Sequence, residues 1–196
     1  SSLGYKCMYS LIAVFSFDPV KTITSIDGGC IIFNDKKEKE ILENLRLLGM
    51  NKDTIERYNN KRAWIYDVVS EGYRYHMTNI LASIGISQLK RLDEFILTRQ
   101  NTCKLYNESF KNISGLIIPQ TNYDDISPFI YTLRILDNRR EKFIDHMKKL
   151  KIDVGIHWNP IHRFSYFSKV KHSDLSITNK IVDEICTIPL HSNMKS

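Results

Sequence analysis

Two short apolar runs stand close together near the start of the chain, and a polar stretch separates them. Residues 11–17 read LIAVFSF and residues 30–33 read CIIF, and both runs are rich in β-branched and aromatic side chains. Runs of this length and composition predict buried strands. The polar residues 18–27, followed by Gly28 and Gly29, predict a loop with a tight turn. Such strands are typical of an α/β sheet, where ligands bind at strand ends.

A helix and an aromatic-rich stretch follow the second run. Asn34 or Asp35 can cap the helix, apolar residues recur at helical spacing up to about residue 48, and Gly49 supplies a C-terminal stop. Residues 50–75 have no clean period and contain five tyrosine or tryptophan side chains. We interpret this stretch as either a buried loop or a subunit contact.

Helical periodicity returns from Thr78 to about Lys111, where apolar residues recur every three or four positions. This pattern predicts one long helix or two abutting helices. Gly85 lies inside it and would cost about 1 kcal/mol relative to alanine if it were exposed. We therefore expect Gly85 to mark close packing against another element.

Strands and helices mix in the remainder of the chain. The predicted elements are a strand over residues 129–136, a helix over 139–150, a short strand over 152–156 and a helix over 177–185. This mixture suggests a small α+β domain. We expect the first domain to cover residues 1–111 and the second to cover residues 112–196.

The composition indicates a soluble globular protein. Of the 196 residues, 42% are apolar and 26% are charged. The longest apolar stretch is far shorter than the roughly 20 residues of a membrane span, and no leader sequence is recognisable, so we expect a cytoplasmic protein that does not bind a membrane. The four cysteines lack the spacing of a zinc site or a disulfide scaffold, which predicts buried thiols and no metal.

The net charge of +6 raises nucleic acid as a possible partner, because clustered cations bind phosphates. Here, however, Lys and Arg are interspersed with Asp and Glu in helical patterns. Solvated helix faces explain that distribution better than a nucleic-acid surface.

Lys21 is the sharpest candidate for chemistry. It lies in the run SFDPVKTITSIDGG, directly after a predicted strand. A lysine that forms a Schiff base needs a fixed position and partial desolvation, and a loop at a strand end can provide both. Ser16 could offer its hydroxyl to a phosphate, while Gly28 and Gly29 allow backbone to approach a ligand. By these residues alone, a solvated lysine beside a simple glycine turn remains the commoner explanation.

Four sequence blocks resemble one family. Residues 15–29, residues 72–100 (GYRYHMTNILASIGISQLKRLDEFILTRQ), residues 155–162 (GIHWNPIH) and residues 188–194 (IPLHSNM) are similar, in order, to the motifs of DegT/DnrJ/StrS-type nucleotide-sugar aminotransferases. Together the blocks span essentially the whole chain. The resemblance implies a pyridoxal 5'-phosphate (PLP) enzyme of fold type I, with a mostly parallel sheet in a large domain, a small α+β C-terminal domain, and a homodimer with shared active sites.

The resemblance also implies roles for the cofactor residues. Lys21 would carry PLP covalently, and Ser16 would bind its phosphate. His76 would reach the phosphate in the neighbouring subunit, at a position where the family often has Asn or Arg, and the alternative is a capping or packing histidine. Asp18 departs from the family, which often has His or Gln there. Because Lys21 is present, the chain resembles the aminotransferases and not the related dehydratases, which carry histidine.

For the substrate, the resemblance implies a pocket lined by His157, Trp158 and His162. Rings of this kind suit a sugar and its hydroxyls, although the same strand could equally be core. The intact enzyme would transfer an amino group from an amino acid, by family expectation glutamate, to a nucleotide-linked keto-sugar. Its product would serve the synthesis of surface polysaccharide, lipopolysaccharide or glycosylated natural products.

The family's N-terminal half has no counterpart in this sequence. That half supplies a phosphate loop, an aromatic residue that stacks on PLP, and the Asp that pairs with the pyridinium nitrogen. We therefore expect this chain to be a fragment with little activity alone. The alternative is a non-catalytic remnant that at most dimerises.

Overall fold

The computed structural model describes residues 12–33, 35–51 and 66–194. The chain forms two compact units, Ser1–Leu92 and Asp93–Ser196, each of which is described by itself. Helices and strands occur in both units, which confirms a mixed α/β protein. The predicted domain boundary between residues 111 and 112 stays a prediction.

A β-hairpin opens the described part of the first unit. Strand β1 (Ile12–Ser16) pairs antiparallel with β2 (Gly29–Phe33), so both predicted strands are confirmed. Their complete burial was a wrong prediction, since Val14 is 74% exposed. Side chains alternate between the two faces of a strand, and only one face of this hairpin is covered. Within the described ranges no strands pair in parallel, so the parallel sheet implied by the resemblance is not formed there.

Helix α1 (Lys36–Arg46) begins and ends at the expected signals. The Asp35 carboxylate accepts a hydrogen bond of 2.8 Å from the backbone N–H of Lys37, as a helix N-cap does. Gly49 has a φ of +71° and donates its N–H to the Asn44 carbonyl at 2.8 Å. A Cβ at Gly49 would overlap the Ser70 carbonyl, so this position needs glycine for space as well as for conformation.

Two abutting helices follow, as predicted. Helix α2 (Asn79–Leu89) begins at Thr78, whose hydroxyl accepts from the Leu81 N–H at 3.3 Å, and helix α3 (Leu92–Phe110) starts after a short turn. A Cβ on Gly85 of α2 would lie 3.4 Å from the Ser25 Cβ. The prediction that Gly85 packs against another element is therefore confirmed, and the contact leaves room for a methyl group.

The aromatic-rich stretch is only partly described. Tyr66, Tyr73 and Tyr75 are exposed, and the rings of the last two stack with centroids 5.0 Å apart. Tyr58 and Trp64 lie outside the described residues. A buried loop was thus a wrong prediction for residues 66–75, and the subunit contact stays a prediction.

The second unit is built on a three-stranded antiparallel sheet in the order β3-β4-β5. Its strands are β3 (Leu116–Ile117), β4 (Tyr131–Ile135) and β5 (Ile185–Ile188), and its further helices are α4 (Arg140–Lys149) and α5 (Ser176–Glu184). The central strand and both helices confirm the predictions to within a few residues.

The predicted strand over residues 152–156 is wrong. Only Gly155 reaches the sheet, where its N–H and C=O exchange hydrogen bonds of 2.9 and 2.7 Å with Thr187 of β5. The segment 152–156 therefore contacts the edge of the sheet at this one residue and forms no ladder. Three short 3₁₀ turns, Tyr123–Asp125, Ile161–Arg163 and Ser165–Phe167, also lie in this unit.

The core of the second unit lies between β4 and α3. Tyr131, Leu133 and Ile135 alternate along β4 and are buried, and they pack in one cluster with Cys103 of α3. The Tyr131 hydroxyl donates to Asn107 Oδ1 at 2.7 Å, which satisfies the polar tip of a fully buried ring. Burial raises the pKa of Tyr123, which packs in the same cluster, to about 12.

Arg99 of α3 is a buried cation with a structural role. Its Nη1 donates to the carbonyl oxygens of Phe129 and Leu190, both at 3.1 Å, and its Nε donates to Ser192 Oγ at 3.3 Å. Burial lowers the pKa of Arg99, although its several N–H donors have partners. One guanidinium thus joins α3 to the segments before β4 and after β5.

We expect Arg99→Met to lower the free energy of unfolding by about 3 kcal/mol, because the partly buried carbonyls of Phe129 and Leu190 lose their donor. The matched control is Lys104→Met in the same helix, which removes an exposed ion pair with Asp124 and should cost less than about 1 kcal/mol. Urea denaturation of the 196-residue chain, followed by circular dichroism, measures both. Equal losses in the two variants would contradict the structural role of Arg99.

The predicted burial of the thiols is confirmed for Cys103 and Cys186, both fully buried, whereas Cys30 is only half-buried and Cys7 lies outside the described residues. Burial raises the pKa of Cys103 from 9.0 to about 11. It also raises the pKa of Cys186. Since only the thiolate is nucleophilic, both residues should be unreactive in the native chain near neutral pH.

We expect iodoacetamide at pH 8 to label Cys30 in the native chain well before Cys103 or Cys186. The raised pKa alone reduces the Cys103 thiolate about a hundredfold at that pH, and burial blocks access as well. In urea all three should react at similar rates. Peptide mass spectrometry over a time course measures the order, and native labelling of Cys103 as fast as Cys30 would refute it.

Candidate functional site

The backbone of Phe17 closes the loop that contains Lys21. Its N–H donates to the Gly28 carbonyl at 2.9 Å, and its carbonyl accepts from the Ser25 N–H and the Thr24 hydroxyl, both at 3.0 Å. The far end of the loop is therefore tied to the end of β1. Lys21 lies within this closed loop, and its side chain is partly buried.

Asp18 shapes the turn that leads to Lys21. Its carbonyl accepts from the Lys21 N–H at 3.0 Å, and its Oδ1 accepts from the Val20 N–H at 3.1 Å. Ser16, the last residue of β1, is exposed, and its oxygen accepts a 3.4 Å hydrogen bond from the Asp18 N–H. The Ser16 hydroxyl proton is not used by that bond. Asp18, which departs from the family pattern, thus has a local structural role.

Gly28 is required by its backbone conformation, and Gly29 is required by close packing. Gly28 has a φ of +114°, and a Cβ there would lie 2.6 Å from Met77 Cε. A Cβ at Gly29 would overlap the Phe15 carbonyl oxygen. Inside the first unit, this packing brings the segment around Met77 against the Lys21 loop. The first two motif blocks therefore meet in space.

His76 carries an unpaired polar atom beside that contact. Its Nδ1 is buried and has no hydrogen-bond partner within the described ranges. Buried polar atoms are normally paired, so this nitrogen is a position where a ligand could bind. Thr78, and not His76, caps α2, which leaves packing as the alternative role for the histidine.

His157 and Trp158 lie together in the second unit. The His157 ring lies over Gly155, where a Cβ would be 2.7 Å from its Cε1, and it meets the Trp158 ring edge-on at a centroid distance of 5.1 Å. His157 Nδ1 is buried without a partner in the part of the chain that is described. Trp158 is 61% exposed, so the core alternative is wrong for this ring.

His162 is tied to α5. Its Nε2 lies 2.9 Å from Asn179 Oδ1, and its ring centroid is 5.8 Å from that of His172. The neighbouring Arg163 donates to Asp183 Oδ1 at 2.7 Å. That hydrogen bond holds the pKa of the Asp183 carboxyl below its ordinary value and raises the pKa of Arg163.

Sequence reasoning missed one residue of the loop, Ser25, and one residue that packs against the loop, Met77. Ser25 is fully buried and donates from its hydroxyl to the Asp27 carbonyl at 2.7 Å, and Met77 fills the space above Gly28. The available signal for Ser25 was Gly85, because a glycine inside a helix indicates that another element packs against it. The contact of Met77 is a tertiary one and left no local pattern.

Comparison with models of known families matches residues 5–196 to the DegT/DnrJ/EryC1/StrS aminotransferase family. The chain belongs to this family. Members with which it is similar are sugar aminotransferases, and a PLP cofactor is implied by that membership. Inside the described ranges, no helix is long and apolar enough to cross a membrane.

Several family members are similar over nearly the whole chain. An uncharacterized protein of Methanocaldococcus jannaschii, MJ1066, is 32% identical to this chain. The match covers 92% of this chain and 49% of that protein. The UDP-4-amino-4,6-dideoxy-N-acetyl-beta-L-altrosamine transaminase of Campylobacter jejuni is 28% identical, with 93% of this chain and 48% of that protein covered. The chain spans about half the length of the curated relatives it matches.

A solved structure has the same fold. Spr1654 of Streptococcus pneumoniae in its PMP-form superimposes with a TM-score of 0.83 at 23% identity, and the match covers 95% of this chain and 50% of that one. The similarity extends through both compact units. The fold described above is therefore also found in about half of that solved chain.

We expect Gly29→Ala and Gly85→Ala to differ in their effects on stability. The first places a methyl group against the Phe15 carbonyl and should lower the free energy of unfolding by about 2 kcal/mol. The second meets Ser25 at ordinary contact distance inside a helix and should be neutral or stabilise by up to about 1 kcal/mol. Urea denaturation measures both, and a Gly29→Ala variant as stable as the parent would rule out the close approach.

Proposed function

We propose that the protein to which this chain belongs is a PLP-dependent aminotransferase acting on a nucleotide-linked keto-sugar, with an amino acid, by expectation glutamate, as donor. The observation that carries the proposal is the placement of Lys21 in a loop closed on Phe17 and packed against Met77. Membership of the aminotransferase family and the transaminase name of the Campylobacter jejuni relative support it.

The residues present fit a phosphorylated cofactor. Ser16 has a hydroxyl proton to donate, Lys21 supplies an amine from a partly buried position, and His76 Nδ1 is a buried nitrogen without a partner among the described residues. In the proposed homodimer, His76 donates to the phosphate in the neighbouring subunit. When bound, PLP would supply the electron sink that makes the carbon–hydrogen bond of the amino acid acidic.

Lys21 is the proposed catalytic residue. Its Nζ would hold the cofactor between turnovers. During turnover it would take the proton from the substrate carbon that bears the amino group and deliver that proton to the cofactor. Asp18 orients the turn before it through the hydrogen bonds to Val20 and Lys21. The proton transfer requires an amine that is held in place, and the hydrogen-bonded backbone of this loop supports that role.

His157, Trp158 and His162 are the proposed substrate residues. The exposed Trp158 face suits a sugar ring, and the unpaired His157 Nδ1 suits a hydroxyl. Asn179 orients His162 by the hydrogen bond to its Nε2. The product would feed polysaccharide, lipopolysaccharide or natural-product synthesis in the cytoplasm.

This proposal includes a fold type I domain architecture. Residues 1–111 would be the C-terminal part of the large PLP domain, and residues 112–196 would be a small C-terminal domain. A non-catalytic, dimerising remnant is the competing hypothesis. It predicts that PLP does not bind at Lys21.

Borohydride trapping with PLP tests the proposal. We expect reduction to attach the cofactor to the Lys21 peptide, with an absorbance change that Lys21→Ala abolishes. Lys37→Ala, which removes an exposed lysine of α1, is the matched control and should change neither result. The 196-residue chain is tested, and any longer protein that its gene encodes is tested beside it.

Peptide mass spectrometry of the reduced protein decides between the hypotheses. Labelling that concentrates on Lys21 and disappears in Lys21→Ala supports the aminotransferase. Labelling spread over surface lysines, unchanged in Lys21→Ala, in every form of the protein tested would establish the remnant hypothesis instead.

A further inference from the structure

A cavity of about 460 Å³ lies in the second unit, and none of the proposed cofactor or substrate residues lines it. Its walls come from the C-terminal end of α3, the sheet and helix α4. Leu133 and Ile135 of β4 and Phe110 of α3 make its interior apolar. The volume falls within the range of about 300–1,000 Å³ that small-molecule pockets occupy.

One face of α4 gives this cavity a basic rim. Arg139, at the start of the helix, and Lys142 and His146 within it recur at spacings of three and four residues, so they share a face, and all three line the cavity. Lys142 and His146 are exposed. The acids of this helix, Glu141 and Asp145, lie at other positions and do not line it.

The charges around Arg139 are only partly compensated. Its Nη2 pairs with Asp137 at 3.0 Å, and the guanidinium lies against Gly115, where a Cβ would overlap it. That contact holds one donor group at the cavity edge. Lys142 then adds a whole positive charge, and His146 adds a ring N–H donor.

We propose that this cavity binds a small amphipathic anion, with an apolar chain or ring inside and a carboxylate at the basic rim. An apolar interior favours the hydrocarbon part through the hydrophobic effect. The basic rim favours the anion over a ligand of the same chain length that has a neutral or cationic head group. Nothing in this site depends on Lys21 or on the proposed aminotransferase reaction.

Calorimetric titration of the chain with octanoate tests the proposal, with octanol and octylammonium as matched ligands. Octanoate should bind, and shortening it to hexanoate should weaken binding by about fifteenfold, because each of the two lost methylenes contributes roughly a fourfold factor. Octanol should bind more weakly and octylammonium weakest. Absence of octanoate binding, or equal binding of all three head groups, overturns the proposal.

Two substitutions locate the ligand. Lys142→Gln should weaken octanoate by about twofold to fivefold, as expected for loss of one exposed charge, and Lys149→Gln on the same helix outside the cavity should have no effect. Ile113→Trp, at a half-exposed wall position, should abolish binding by filling the space. Circular dichroism establishes that each variant is folded, and Met147→Trp replaces Ile113→Trp if that variant is not. Unchanged octanoate affinity in the folded tryptophan variant overturns the proposal.

Discussion

The close approach of backbone at Gly28 and Gly29 is the constraint on which the Lys21 loop depends. Gly29 brings β2 within contact of the Phe15 carbonyl, and Gly28 makes room for Met77 while its own carbonyl accepts from Phe17. Any side chain at Gly29 would push the two strand ends apart. The backbone position of Lys21 is therefore set by packing on both sides of the loop.

Short sequence signals correctly predicted helix ends, which depend on neighbouring residues. They failed for strand burial and strand pairing, which depend on tertiary contacts. The carboxylate of Asp35 and the hydroxyl of Thr78 cap helices because each needs only the next three residues. Burial of β1 depends on what covers it, which a run such as LIAVFSF does not encode. The run before Gly155 has strand-like composition, yet it reaches the edge of β5 at one residue only.

The candidate site was predictable only in part, for the same reason. The importance of Lys21 came from its resemblance to family motifs, since a lysine in a polar loop carries no distinctive local pattern. The hydrogen bonds of Asp18 show why a residue that departs from those motifs still supports the loop. The sequence predicted the same role for His162 and His157. The structure distinguishes them, because His162 hydrogen-bonds to Asn179 of α5, whereas His157 Nδ1 has no partner among the described residues.

Two buried imidazole nitrogens, His76 Nδ1 in the first unit and His157 Nδ1 in the second, have no partner within the ranges the structure describes. Each would cost about 1–3 kcal/mol of stability if it stayed unpaired, a large share of a domain's marginal stability. Among the described residues, the other buried side-chain nitrogen and oxygen atoms have partners: Arg99 has three acceptors and the Tyr131 hydroxyl has Asn107. Departures from that rule are expected at binding sites, where a ligand or a further part of the protein completes the hydrogen bond. Both exceptions fall within family motif blocks, at residues for which a cofactor or substrate role is proposed.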